Sequence, residues 1–174
     1  MKTKGTVILP DGNTCSGKST YARQLATERG AVLFIIDELF QRLGSAPRPT
    51  ADGEESLSGP ELMARAIENL LEFLKETAVQ IANSGADVIL ESGYFNKAER
   101  DAMYGYFVEQ GVPVEWHYLD VSEETWRRNI AARNAAHAAG TPGIFYIGEA
   151  EVDMFLKYYQ PPERGEVDVW IDNN

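Results

Sequence analysis

A glycine-rich segment near the amino terminus constrains this chain more than any other feature of its sequence. Residues 12–19 read Gly-Asn-Thr-Cys-Ser-Gly-Lys-Ser and match the pattern G-x-x-x-x-G-K-[ST] at each fixed position. A short apolar run at 6–10 precedes the segment, and a stretch suited to a helix follows from Lys18. The glycines let backbone N–H groups curl around phosphate oxygens, and the helix points its positive end at the same oxygens. The sequence therefore predicts a phosphate-binding loop between a buried strand and a helix.

The chemistry of this loop favours Mg-ATP as its ligand. Lys18 can place a positive charge on the β- and γ-phosphates, and the Ser19 hydroxyl can bind Mg²⁺. The nucleotide is expected to contact the whole loop, mostly through backbone N–H groups: Gly12, Asn13, Thr14, Cys15, Ser16, Gly17, Lys18, Ser19 and Thr20. A guanine-binding pattern would read Asn-Lys-x-Asp, whereas residues 96–99 read Asn-Lys-Ala-Glu. We interpret these residues as the start of a helix, and ATP is the favoured nucleotide.

Composition limits the classes of function that are compatible with the chain. The 174 residues suit a single domain, 1–174, with a substantial core. Lysine and arginine number 16 against 27 acidic residues, a formal charge of −11, which disfavours nucleic acid as a partner. One cysteine and two histidines exclude an internal disulfide and leave little for a zinc site. The sequence shows no apolar run of ~18 residues and no signal-peptide pattern, so a cytoplasmic protein without a membrane partner is expected.

Apolar runs alternate with helical patterns along the chain. Five runs predict buried strands: 6–10, 31–36, 87–91, 112–119 and 167–171. Helices are predicted at 18–29, from Pro60 to about 85, at 97–110, from Ser122 onward and at 149–159. Proline, glycine and acidic residues at about 44–59 predict a flexible loop. This order favours an α/β fold with a doubly wound, mostly parallel sheet.

Two carboxylates follow predicted strands and are expected at the carboxyl edge of the sheet. Asp37 directly follows the second strand, beside the phosphate-binding loop, where a carboxylate can accept the proton of an attacking hydroxyl group. The alternative is that Asp37 caps the next helix. Glu91 ends the third strand and could bind Mg²⁺ through water, hold a substrate hydroxyl, or only hydrogen-bond to the loop.

Basic and amide side chains could complete the site. Asn96 and Arg100 lie four residues apart at the start of a predicted helix and are candidates to face the acceptor, although a solvated position for Arg100 is the alternative. Arg133 shares one side of a later helix with Asn129 and could stabilise charge on the transferring phosphoryl group. The alternative is a solvated charged face. The Gly-Thr-Pro-Gly run at 140–143 indicates a hinge, so that about 127–148 would form a lid.

Together these segments resemble the P-loop kinases grouped with the 5′-hydroxyl polynucleotide kinase domain, chloramphenicol phosphotransferase and zeta toxins, an AAA_33-like group. The similar segments are the loop at 12–20, Ile-Asp-Glu-Leu at 36–39, Val-Ile-Leu-Glu-Ser-Gly at 88–93, Asn96 with Glu99-Arg100, Leu-Asp-Val at 119–121, Arg-Asn at 133–134, Gly-Thr at 140–141 and Tyr-Gln-Pro-Pro at 159–162. The resemblance implies a five-stranded parallel sheet with a helical lid. It also implies Asp37 as the general base and Arg133 as the lid arginine on the phosphates.

The function expected from the sequence is transfer of the γ-phosphate of Mg-ATP to a hydroxyl group of a small molecule. Members of the group that the chain resembles act on very different acceptors, and the acidic stretch at 45–59 departs from the compact polynucleotide-kinase pattern. A polynucleotide 5′-hydroxyl kinase is one alternative, and it predicts a cationic cleft beside Asp37 built from Arg42, Arg48 and Arg100. A second alternative is an ATP-binding regulatory protein with little transferase activity.

Overall fold

A computed structural model describes residues 3–43, 59–94, 96–141 and 143–174. Within these ranges five strands form one sheet: β1 (Val7–Asp11), β2 (Val32–Ile35), β3 (Val88–Glu91), β4 (Val114–Asp120) and β5 (Val169–Asp172). Their order across the sheet is β2-β3-β1-β4-β5, and each neighbouring pair is parallel. The predicted α/β class and five-stranded parallel sheet are therefore confirmed. The loop predicted at about 44–59 lies, apart from Gly59, outside the described residues.

Six helices and one 3₁₀ turn are present in the described part of the chain: α1 (Lys18–Arg29), α2 (Ile36–Leu43), α3 (Gly59–Ser84), α4 (Lys97–Glu109), α5 (Glu123–Ala138), α6 (Glu149–Tyr158) and the turn Arg164–Glu166. Strand β2 ends one residue earlier than predicted and α2 follows it directly, so Asp37 lies in the first turn of that helix. Over the described ranges, no helix is both long and apolar enough to span a bilayer.

The sheet is covered on both faces because its central strand alternates its side chains between two helical layers. Val7 and Leu9 of β1 face a core formed with α3 and α4, in which Phe107 is fully buried. Ile8 faces the opposite layer, where it packs with Ala22 and Leu25 of α1. A third cluster joins α5 to α6: Trp126, Ile130, Ile147 and Phe155. Burial of β1 on both faces fits the near-continuous apolar run that parallel sheets require.

Strand order places the end of β1 at the middle of one sheet edge. The chain passes from β1 through α1 to β2 on one side, returns to β3, and then crosses to β4 on the other side. In open parallel sheets, ligands bind beyond the carboxyl ends of the strands, at the point where the strand order reverses. The segment 12–17, which joins β1 to α1, lies at this point.

A buried histidine links β4 to α1. His117 Nδ1 lies 2.6 Å from the Tyr21 hydroxyl, and its Nε2 lies 3.1 Å from a carboxylate oxygen of Glu115. Burial lowers the pKa of His117 below its ordinary value of 6.5, although the Glu115 carboxylate acts in the opposite direction. The unfolded chain therefore takes up a proton at this position at a pH where the folded protein does not, and His117 makes the fold less stable as pH falls below about 6.5.

This linkage predicts the effect of His117→Gln on the pH dependence of stability. Between about pH 7 and pH 5, the free energy of unfolding should fall more in the wild type than in the variant, because only the wild type gains a histidine proton on unfolding. Urea unfolding of both proteins across this range measures the difference. Both proteins carry the same carboxyl groups, so parallel pH profiles would contradict a neutral buried His117.

Candidate active site

The segment 12–17 has a backbone that demands glycine at both ends. Gly12 has φ 149° and Gly17 has φ 94°, values that side chains rarely allow. A Cβ on Gly12 would lie 2.5 Å from Ser16 Oγ, and one on Gly17 would lie 2.8 Å from Asn173 Nδ2. Because Gly17 is the N-cap of α1 and has no side chain, the N–H groups of the first helical turn are available to an anion. This segment, called the phosphate loop below, is the cradle that the sequence predicts.

Lys18 carries the positive charge of the site. Its Nζ donates to the carbonyl oxygens of Gly12 at 2.8 Å and Asn13 at 2.9 Å, so the ammonium group lies over the first half of the phosphate loop. Lys18 also lines a cavity of about 450 Å³ that opens beside the loop. A phosphate in this cavity would be within reach of both the loop amides and the ammonium group.

Two carboxylates line the same cavity as Lys18. Glu91 is buried at the end of β3, and its Oε2 accepts a hydrogen bond from Ser19 Oγ at 3.1 Å. Burial raises the pKa of Glu91, with the charge of Lys18 acting in the opposite direction and that of Asp37 adding to the rise. Asp37 is exposed and also lines the cavity. The structure thus brings together Lys18, Ser19, Asp37 and Glu91 around one cavity.

The predicted lid arginine also lines this cavity. Arg133 of α5 donates through Nε to the carbonyl oxygen of Phe145 at 3.2 Å, and its guanidinium lies 4.0 Å from the centre of the Phe145 ring. Both residues line the cavity, together with Asn129 and Ala132. Helix α5 continues to Ala138, so the first half of the predicted lid at about 127–148 is regular helix.

The second half of the predicted lid is hydrogen-bonded to two helices. The lid segment, residues 143–147, ends at Ile147, whose backbone N–H and C=O both bond to the Asn134 side chain, at 2.9 and 2.7 Å. At the other end, Gln41 of α2 donates to the carbonyl oxygen of Gly143 at 2.8 Å. The lid segment therefore contacts both the helix that carries Arg133 and the helix that carries Asp37.

Asn96 and Arg100 do not join this group of described residues around Lys18. The Asn96 side chain caps α4 by accepting from the Glu99 N–H at 3.0 Å. Arg100 is buried rather than solvated, and it donates to the Gln160 carbonyl at 2.6 Å and pairs with Glu166 at 3.4 Å. Arg100 Nε also lies 3.9 Å from Asp11 Oδ2, on the face of the sheet that α4 covers. These contacts are structural, and a role in acceptor binding stays a prediction for both residues.

Several side chains that contact the phosphate loop were not predicted to do so. Asp11, fully buried at the end of β1, accepts from the Gly12 N–H at 2.6 Å. Trp126, Asn129 and Asn173 each donate to a carbonyl oxygen of the loop. The sequence placed Asn129 on the same helix side as Arg133, but nothing in the local pattern connects α5 or residue 173 to the loop, because these contacts span more than 100 residues.

Comparison with solved structures identifies the fold as that of P-loop kinases. A protein of Chloroflexus aurantiacus, provisionally assigned as a kinase, is 20% identical with a TM-score of 0.67, covering 97% of this chain and 87% of that one. A gluconokinase from Sinorhizobium meliloti is 17% identical with a TM-score of 0.59, covering 99% and 85%. The Mycobacterium tuberculosis APS kinase, solved with AMPPNP and APS, is 19% identical with a TM-score of 0.58, covering 98% and 90%. At identities of 17–20%, these similarities establish a shared fold and nothing finer.

Sequence comparison identifies the family. A search of curated proteins finds no significant match to the chain. A family model described as an AAA domain, AAA_33, matches residues 7–162, which include the phosphate loop, both cavity carboxylates and Arg133. Since this match spans most of the 174 residues, the chain belongs to the AAA_33 family of AAA domains, with a nucleotide-binding P-loop fold of the kinase type.

Proposed function

We propose that this protein is an ATP-dependent kinase that transfers the γ-phosphoryl group of Mg-ATP to a hydroxyl group of a small molecule. The observation that carries the proposal is the composition of one cavity, which is lined by Asp37, Lys18 and Arg133 beside the phosphate loop. A carboxylate, two cations and a ring of backbone amides are the groups that phosphoryl transfer to an alcohol needs.

In the proposed reaction, Asp37 is the general base. Its exposed carboxylate accepts the hydroxyl proton as the acceptor oxygen attacks the γ-phosphorus in line with the bond to the β,γ-bridging oxygen. That bond breaks, ADP carries away the electron pair, and the acceptor keeps the phosphoryl group. Lys18 and Arg133, which both line the cavity, stabilise the negative charge spread over the phosphoryl oxygens.

The cavity residues also fit Mg²⁺ bound with the nucleotide. Mg²⁺ takes oxygen ligands and in such sites is held by one or two protein groups plus phosphates and water, so a dedicated cluster of ligands is not required. Among the described residues there is no group of three or more histidine, cysteine or acidic side chains suited to a metal. Because the Ser19 hydroxyl donates to Glu91, its lone pairs are left for the ion. Bound there, Mg²⁺ would neutralise charge on the β- and γ-phosphates.

The charges around Asp37 favour a small acceptor over a polynucleotide. Of the described arginines that could supply a cationic cleft, Arg23 is paired with Glu38, and Arg100 lies away from the cavity, buried with Glu166. Arg42 is exposed on α2, and Arg48 lies outside the described residues. A 5′-kinase of polynucleotides would need several free cations to follow the phosphate backbone. The names of the gluconokinase and the APS kinase, which have this fold, agree with a small acceptor, whereas an RNA repair complex containing Pnkp1 is also similar, with a TM-score of 0.61.

The direct test is ADP release from Mg-ATP in the presence of defined acceptors. The panel should contain sugars, sugar acids, nucleosides and hydroxylated antibiotics beside a 5′-hydroxyl oligonucleotide, with a no-acceptor control. We expect at least one small molecule to raise ADP release and to be recovered as its phosphate ester. Stimulation by the oligonucleotide alone would show that the acceptor is a nucleic acid and not a small molecule. Nucleotide binding with no stimulation by any compound would favour the regulatory alternative.

A further inference from the structure

Three side chains from outside the phosphate loop bond to three successive carbonyl oxygens within it. Trp126 Nε1 donates to Thr14 O at 2.6 Å, Asn129 Nδ2 to Cys15 O at 3.0 Å, and Asn173 Nδ2 to Ser16 O at 2.7 Å. We propose that this carbonyl clamp, formed by Trp126, Asn129 and Asn173, sets the orientation of the loop amides and thereby the affinity for the phosphates of the nucleotide. Its members are positioning residues, and the inference rests on the proposed nucleotide site.

Peptide geometry explains how hydrogen bonds to the loop carbonyl oxygens set the directions of the loop N–H groups. In a trans peptide the C=O of one residue and the N–H of the next point in opposite directions. Holding the carbonyls of Thr14 and Ser16 outward therefore turns the N–H groups of Cys15 and Gly17 to the other side, and both of these residues line the cavity. The N–H of Ser16 between them closes a turn on Asn13 O at 3.0 Å.

The loop backbone contains a strained residue, which other contacts must stabilise. Cys15 has φ 60°, the left-handed region in which a residue with a Cβ is strained. Its peptide neighbours on both sides are fixed by the clamp, and its side chain packs against the cluster of Trp126 and Ile130. The clamp thus offsets strain at the point where the loop turns.

The clamp also connects the loop to the lid. Trp126 and Asn129 lie on α5, and Arg133 and Asn134 follow within the next two turns of the same helix. Arg133 contacts Phe145, and Asn134 holds Ile147, so one rigid helix joins the loop carbonyls to the lid segment. Asn173 reaches the loop from the end of β5, where its own N–H bonds to Asp120 O at 2.9 Å.

The test compares Asn129→Ala and Asn173→Ala with the neighbouring variant Asn174→Ala. Asn174 is exposed and bonds to the Ser122 N–H at 2.6 Å rather than to the loop, which makes it a matched control. Titration calorimetry with Mg-ATP should show Kd raised about fivefold by each clamp variant, the worth of one hydrogen bond, and unchanged by the control. Equal Kd values for all four proteins would overturn the clamp, and so would a loss of thermal stability in the clamp variants without a change in Kd.

Two further measurements, hydrogen exchange and tryptophan fluorescence, separate failure of the clamp from failure of the proposed function. In the nucleotide-free protein, hydrogen exchange of a peptide covering residues 12–17 should be faster in Asn173→Ala than in Asn174→Ala. Tryptophan emission should change when Mg-ATP is added, and Trp126→Phe should abolish the change while Trp170→Phe keeps it. Unaltered exchange rates and a Trp126-independent signal overturn the clamp even where nucleotide binds. If exchange responds but the wild type binds no nucleotide, the proposed function fails and the clamp stands as a determinant of loop geometry alone.

Discussion

Replacing Asp37 with asparagine is expected to lower phosphoryl transfer by about a hundredfold or more and to leave the affinity for Mg-ATP nearly unchanged. Asparagine has the shape of aspartate but cannot take the proton of the acceptor hydroxyl, so the attacking oxygen would have to lose its proton to water. The affinity should persist because the phosphate loop and Lys18, which hold the nucleotide in this account, are untouched by the change. Steady-state rates and a separate binding titration measure the two quantities.

The neighbouring acid supplies the control for this experiment. Glu38 lies in the same first turn of α2, but its carboxylate is paired with Arg23. Glu38→Gln should therefore keep most of the transfer rate. The sequence offered helix capping as the alternative for Asp37, but α2 begins at Ile36, so Asp37 lies inside its first turn, where an acidic residue is favourable. A purely structural role there predicts a loss of thermal stability in Asp37→Asn with transfer intact. Undiminished transfer in Asp37→Asn, or a larger loss in Glu38→Gln, would remove Asp37 from the role of base.

Replacing Lys18 with alanine is expected to weaken Mg-ATP binding by about a hundredfold or more, because it removes the one ammonium group that lies over the described phosphate loop. The change also removes two hydrogen bonds to Gly12 and Asn13, whose carbonyls can turn to water, so the fold should lose only about 1 kcal/mol of stability. Calorimetric titration gives the affinity, and circular dichroism with thermal melting verifies the fold.

Lys75→Ala is the matched control for Lys18→Ala. Lys75 lies on α3, where its ammonium group is 4.7 Å from the centre of the Tyr106 ring, away from the cavity. It carries the same charge, so its loss tests whether the effect at Lys18 comes from position rather than from net charge. Similar nucleotide affinities in the two variants would contradict the assignment of the segment 12–17 as the phosphate site.

The parts of this protein that could be predicted from sequence are those fixed by local geometry. The phosphate loop was found because Gly12, Gly17 and Lys18 must stand at fixed spacing for the backbone to curl and the helix to begin. Five strands were found because both faces of a parallel sheet are buried, which leaves continuous apolar runs such as Val7–Leu9. Both signals are contained within a dozen residues.

Contacts between residues that are distant in sequence could not be predicted from local patterns. The spacing of Asn96 and Arg100 put them on one end of a helix, but not on a particular side of the sheet. Arg100 turned inward because Gln160, Glu166 and Asp11, each distant in sequence, meet it there. The clamp residue Asn173 presents no motif, because a side-chain amide bonded to a loop carbonyl needs no special neighbours in sequence. Such residues become visible only when the fold brings them to the loop.

The measurement that tests the central claim most directly is the fate of a labelled γ-phosphoryl group. ATP labelled in this group would be incubated with the protein, Mg²⁺ and the stimulating acceptor, and the products separated. The account predicts that the label appears in a phosphate ester of the small acceptor, in an amount equal to the ADP formed, and that Asp37→Asn forms almost none. Label found only as inorganic phosphate, or unaffected by the loss of Asp37, would contradict a kinase that uses this cavity.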